Sequence, residues 1–181
     1  MNLEDRCADV VGLIPEYSEQ GDCCRIICRA ADGHVYSFND NRSVESAKRM
    51  LARCYAVDLA AQARLLQRDY HRSPPLPFYF PDGRIFVPFK LRLARIAGDA
   101  SYGFIELDFV SRIIPGANGR CQLVLTAGET LPVFSHITTA RLALYFGMEI
   151  KKTLIQPQPD PNQELLQAFH TLRRFLNSGS N

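Results

Sequence analysis

The sequence predicts an α+β fold: a small antiparallel β-sheet or meander with helices packed on it and an amphipathic helix at the C-terminal end. Three observations point there. Residues 84–93 alternate, with Ile85, Val87, Phe89, Leu91 and Leu93 on one side and Arg84, Phe86, Pro88, Lys90 and Arg92 on the other, the period-two mark of a strand. Residues 43–70 instead repeat apolar side chains at helical spacing, in two successive segments. Asp32-Gly33 and Asp82-Gly83 each join two β-prone runs, the strongest short-range hairpin signal. At 181 residues, 46% hydrophobic and 22% charged, the chain has the size and composition of one globular domain with material for a core. The expected organisation is one α+β domain over 1–154, a proline-rich linker over 155–161 and a C-terminal helix over 162–177.

Residues 2–14 read as a short helix with Leu3, Cys7, Val10 and Val11 on one side, and Glu16 to Asp22 as a polar loop. Cys23 to Arg29 is a strand that puts Cys24, Ile26 and Cys28 on one face; Asp32-Gly33 turns it into a second strand from His34 to Phe38. Ser43 caps a helix with the stripe Val44, Ala47, Leu51, Cys54 and Tyr55, and Arg49 and Arg53 lie opposite. Asp58 caps the next helix, with Leu59, Ala63, Leu66 and Tyr70 on one side and Arg64 and Arg68 on the other. His71 to Pro77 cannot be helical, because each proline restricts itself and its predecessor. It is a stiff connector, or a boundary between an N-terminal half and a β-rich half.

The hairpin Phe78–Leu93 then has one apolar and one cationic face, and Pro88, which cannot donate to a ladder, implies an edge strand or a bulge. Gly98-Asp99 turns the chain into a strand from Ser101 to Phe109, with Ile105, Leu107 and Phe109 inward and Glu106 and Asp108 together outside. Val110 to Ile114 extends that strand or bulges from it. Pro115 to Gly119 turns, Cys121, Leu123 and Leu125 alternate, and Gly128 leads into Thr130–Phe134, giving a meander of about five strands over 78–134. Ser135 or Thr138 caps a helix over 136–146, in which Leu142, Ala143 and Phe146 bury and Gly147 is the stop. In the C-terminal helix, Leu165, Leu166, Phe169, Leu172, Phe175 and Leu176 form a broad apolar stripe, which docks on its own domain or mediates oligomerisation with a second copy.

The motifs exclude more chemistry than they suggest. The chain has no P-loop, no glycine-rich dinucleotide turn, no His-Glu-x-x-His and no Cys-x-x-Cys, and it offers no pocket motif for a nucleotide or metabolite sensor. Ser135-His136 reads as a capped helix rather than a nucleophile with its base, and Glu106/Asp108 as a solvated strand face rather than an acid–base pair. No enzyme is expected. Cys23, Cys24, Cys28 and His34 could ligate zinc, but Cys24 and Cys28 would stand about 13 Å apart along a strand. The six cysteines are therefore expected to be reduced thiols, several of them buried, with no metal and no cofactor. No apolar run approaches the ~20 residues of a membrane span, and residues 1–6 lack the layout of a signal peptide, so a cytoplasmic location is expected.

The net charge of +2 conceals an uneven distribution. Residues 1–41 hold 3 basic and 8 acidic side chains, residues 42–95 hold 11 and 4, and residues 96–181 hold 7 of each. A basic middle third suits a polyanion. Its bland alternative is a solvated basic face on a protein-interaction or adaptor module. On the first reading, Arg84, Lys90, Arg92 and Arg95 form a DNA contact surface aided by Arg49 and Arg53, since arginine suits the narrow grooves of A·T tracts.

Several short motifs add a resemblance over residues 24–147. They are Pro74-Pro75-Leu76, Phe86-Val87-Pro88 with a basic loop after it, Gly103-Phe104-Ile105, Arg120-Cys121-Gln122-Leu123-Val124-Leu125, the turn at Gly128, and Leu131-Pro132-Val133. In this order they resemble the competence transcription factor ComK family. Phe104 stands where that family has Trp, and the helical stretch before Pro74 is longer; both bear on target-site choice more than on fold. The resemblance implies a transcription regulator that recognises AT-rich double-stranded DNA through the minor groove, binds it as a homo-oligomer and contacts RNA polymerase.

Overall fold

A computed structural model describes residues 2–19 and 21–155. The expected linker beyond Ile155 and the C-terminal helix with its apolar stripe lie outside the described residues. The chain divides into two compact units, Met1–Lys151 and Lys152–Asn181, and the fold is that of the first.

It is a mixed α+β fold. Strands β1 (Val10–Ser18), β2 (Gly21–Arg29) and β3 (Val35–Asp40) form one antiparallel meander. Helices α1 (Val44–Cys54) and α2 (Leu59–Tyr70) carry the chain to the far edge of the sheet, where β4 (Phe78–Tyr79), β5 (Ile85–Lys90) and β6 (Tyr102–Glu106) make a second meander running back. The two are joined where Gly12 and Leu13 pair with Ile105 and Phe104, giving the order β3-β2-β1-β6-β5-β4. A 3-10 turn at Leu107–Phe109 then sends the chain into a three-stranded sheet of β7 (Val110–Pro115), β8 (Cys121–Leu125) and β9 (Thr130–Val133), followed by α3 (Ile137–Ile155).

Apart from the edge strand β3, the six-stranded sheet is largely buried on both faces. On one, Leu13, Cys24, Ile26 and Cys28 meet Val44, Ala47 and Leu51 of α1 and the rings of Phe78, Phe80, Phe86 and Phe104. On the other, Ile27, Ile85, Val87, Phe89 and Ile105 meet Leu123, Leu125, Leu131 and Val133 of the second sheet and Ala140, Phe146 and Ile150 of α3. The hairpins and caps form as their residues dictate. Ser43 Oγ accepts the Ser46 N–H at 3.3 Å, and Asp58 Oδ1 accepts those of Ala60 and Ala61 at 2.9 and 3.0 Å. At the start of α3 it is His136 that caps, its Nδ1 accepting the Thr138 N–H at 3.4 Å. The edge strand β4 is protected by a side chain: the Gln62 amide accepts the Tyr79 N–H at 2.9 Å and donates to its carbonyl at 3.0 Å.

Several expectations are corrected. Residues 2–14 are not a helix; only Glu4–Arg6 make a 3-10 turn, and β1 begins at Val10 and runs into the expected loop as far as Ser18. Val10 to Pro15 are all buried, so the segment shows no alternation and its strand is invisible to periodicity. The expected single meander over 78–134 is divided between two sheets, and the N-terminal half supplies three strands of the larger one, so the proline segment is a connector and no boundary. The strand expected to reach Phe109 breaks at Leu107, which separates the two carboxylates. Glu106 is 3% exposed, whereas Asp108 is exposed and takes the Lys151 ammonium at 2.6 Å. Helix α3 continues through Gly147, where a Cβ would lie 2.6 Å from Val87 Cγ2, so the glycine serves the close approach of helix and sheet rather than a stop. Leu142 is exposed rather than buried. Cys7 and Cys54, 47 residues apart, pair as a disulfide, while Cys23, Cys24, Cys28 and Cys121 are free and buried.

Candidate functional site

The expected DNA face does not survive as a face. Phe86, on the expected cationic side of β5, packs into the α1 core, and Arg84 and Arg92, just beyond the two ends of the strand, turn inward. Arg84 donates from Nε to Asp82 at 2.8 Å, from Nη1 to the carbonyls of Ala8 and Val10 at 3.1 and 3.0 Å, and from Nη2 to the Tyr55 hydroxyl. Its guanidinium lies over the rings of Tyr55, Phe80 and Phe86. Arg92 is 7% exposed. Its Nη1 donates to the Glu16 carbonyl at 2.7 Å and stands 2.6 Å from Asp22 Oδ1, a contact too poorly aligned to count as a hydrogen bond, so that oxygen, Nε and Nη2 are left without one. Both arginines are parts of the scaffold, and neither can hand a guanidinium to a duplex without unfolding its surroundings.

The remaining four candidates stand differently. Arg95 is exposed in the loop after β5, where its guanidinium and that of Arg92 both lie over the Tyr17 ring, at 4.1 and 4.0 Å. The loop is tied down at the same point: Arg95 and Ile96 N–H groups donate to Asp99 at 3.1 Å, and the Tyr17 hydroxyl donates to it too. These bonds hold the Asp99 carboxyl below its usual range. Lys90 is half-buried. Arg49 and Arg53 are exposed on α1, one turn apart and opposite its buried stripe, and Arg64 and Arg68 repeat this arrangement on α2. Within the basic segment, Arg42, Lys48, Arg68, Arg84 and Arg92 take part in salt bridges. Arg49, Arg53, Arg64, Arg72, Lys90 and Arg95 take part in none among the described residues.

Two clefts flank the segment Pro74–Pro77. One, of about 450 Å³, is lined by Phe78, Phe104 and Leu59 and holds Lys48, whose ammonium lies 4.4 Å from the Phe104 centroid and 3.7 Å from Glu45. Burial lowers the Lys48 pKa, with Glu45 opposing. The other, of about 180 Å³, lies between β5 and α3 and contains Arg72 and Lys90. Sequence reasoning overlooked Lys48 and Arg72. For Lys48 a signal existed: four residues after Val44 and three before Leu51, it falls inside the apolar stripe of α1. For Arg72 there was none, since its position depends on where the proline connector meets α3. The chain matches no protein-family model, no curated protein and no solved structure.

Proposed function

We propose that the chain is a cytoplasmic DNA-binding transcription regulator that contacts duplex DNA through the outer faces of α1 and α2. The observation that carries this reading is the pair of like-charged i,i+4 arginines repeated on successive helices, Arg49/Arg53 and Arg64/Arg68, of which only Arg68 has a carboxylate partner among the described residues. Such pairs cost an isolated helix a few tenths of a kcal/mol, and a polyanion would offset that cost. Arg95 and Lys90 are further candidates for phosphate contact; Arg84 and Arg92 are withdrawn. The resemblance to the competence regulators favours AT-rich sites, minor-groove contact, and binding as a homo-oligomer through Leu165, Leu166, Phe169, Leu172, Phe175 and Leu176.

Fluorescence anisotropy on AT-rich and GC-rich duplexes at several salt concentrations tests the proposal. Affinity should fall steeply with salt, and the variant Arg49→Gln/Arg53→Gln/Arg64→Gln should bind more weakly, with a salt slope reduced by about one unit per lost phosphate contact. Its melting temperature should not fall, because none of the three is in a salt bridge among the described residues and the like-charge repulsion is relieved. Unaltered binding in that variant would remove this face. A second reading, a protein-interaction module, is favoured by the exposed apolar row Leu142, Tyr145 and Met148 on α3. It predicts no saturable duplex binding at any salt concentration.

A further inference from the structure

The cleft between β5 and α3 has the chemistry of a small-anion site. It exists because β4 is two residues long and covers β5 only at Ile85 and Phe86. Beyond them the edge of β5 is open on the side away from β6, where Pro88 has no N–H to present and the Lys90 carbonyl is taken by the Phe134 N–H at 2.7 Å. The chain entering β4 cannot zip onto this edge, because Pro75 and Pro77 lack donors. Helix α3 closes the other side with the small residues Ala140 and Ala143.

The lining of this space is one-sided. Its floor is apolar, with Leu76, Phe89 and Phe146 buried. Its polar lining is rich in donors: Arg72, Lys90, and the hydroxyl residues Ser73, Tyr102, Ser135 and Thr139. Among the described residues no acidic side chain lines it, and neither Arg72 nor Lys90 is in a salt bridge; Arg72 is already held over the Phe146 ring at 5.3 Å. Two cations and four hydroxyl residues exceed what the two oxygens of a carboxylate can accept, and they suit the three terminal oxygens of a phosphate monoester better. An apolar floor next to them favours an ester whose organic part is flat or apolar. The geometry points to this cleft as a binding site for a small phosphate monoester with an aromatic or apolar body. The inference does not rest on duplex binding, because the cations on α1 and α2 play no part in it.

Isothermal titration of the full chain with phenyl phosphate, inorganic phosphate and benzoate tests it. Phenyl phosphate should bind one to one, more tightly than inorganic phosphate because the floor adds to the rim, and more tightly than benzoate. Its affinity should rise between pH 5 and pH 7 as the ester passes its second pKa of about 6. Lys90→Gln and Arg72→Gln should each weaken it about tenfold or more, whereas Arg49→Gln/Arg53→Gln should leave it unchanged. Retained circular dichroism melting in the single variants separates a lost contact from a lost fold; a variant that melts early is replaced by Leu142→Glu, whose carboxylate at the rim of the cleft should repel the ester. No saturable binding of phenyl phosphate, equal binding of inorganic phosphate, or equal weakening by the α1 variant would overturn the site.

Discussion

Glu106 shows how a residue's chemistry depends on which side of a strand end it occupies. Its Oε1 lies 3.8 Å from Arg29, its Oε2 has no hydrogen-bond partner, and burial pushes its pKa above the ordinary value of 4.5 against the pull of Arg84 and Arg29. An acid whose pKa is higher in the folded than in the unfolded state binds more protons when folded. Its contribution to stability is therefore complete below the unfolded value and is lost as pH rises through the folded one. Urea unfolding from pH 4 to pH 7 should show the wild type losing stability relative to Glu106→Gln as the pH rises. Parallel pH profiles for the two proteins would mean that the carboxyl is ionised in the fold at no cost. The same pattern of inward cations explains why Arg84 and Arg92 were misread: alternation reports which residues share a face, and a second core on that face is a tertiary fact.

At the scale of elements, glycines decide where helix and sheet meet. A Cβ at Gly147 would stand 2.6 Å from Cγ2 of the fully buried Val87, and one at Gly103 would stand 2.5 Å from the Leu13 carbonyl oxygen and 2.9 Å from Pro15 Cδ. Alanine gains roughly 1 kcal/mol over glycine in a helix interior, but Val87 is stiff at χ1 and walled in, and overpacking costs about 1–3 kcal/mol. Gly147→Ala should therefore be net destabilising, and Gly103→Ala, which meets backbone, should be worse. Thermal melting ranks them; a Gly147→Ala protein more stable than wild type would mean that α3 rides higher on the sheet. Elements set by local chemistry were legible in the sequence: the Asp-Gly hairpins, the caps Ser43 and Asp58, the stripe of α1. Elements set by neighbours were not. Strand β1 carries Gly12 and Pro15 in a run buried on both faces, and the break at Leu107–Phe109 has no turn residue to announce it. Gly147 has the sequence mark of a helix stop, yet here it serves packing.

Across the first compact unit, the two sheets are joined by contacts of very different weight. On the surface, Arg25 bridges Glu16 at 2.8 Å and Glu129, in the turn between β8 and β9, at 2.9 Å. Inside, Leu123, Leu125, Leu131 and Val133 share one core with Ile27, Val87, Phe89 and Ile105 of the larger sheet and Phe146 of α3. Part-exposed ion pairs are typically worth no more than about 1 kcal/mol, whereas truncating a buried leucine costs about 2–5 kcal/mol. The core, not the ion pair, should therefore make the nine strands melt together. Calorimetry is expected to give one transition whose van't Hoff and calorimetric enthalpies agree. Glu129→Ala should shift it slightly. Leu123→Ala should lower it by an amount matching about 2–5 kcal/mol while keeping it single, because the lost contacts reach both sheets and α3 at once. A Leu123→Ala protein that melts in two steps would mean that the three-stranded sheet with α3 is a separate folding unit joined to the larger sheet only by its connecting turn.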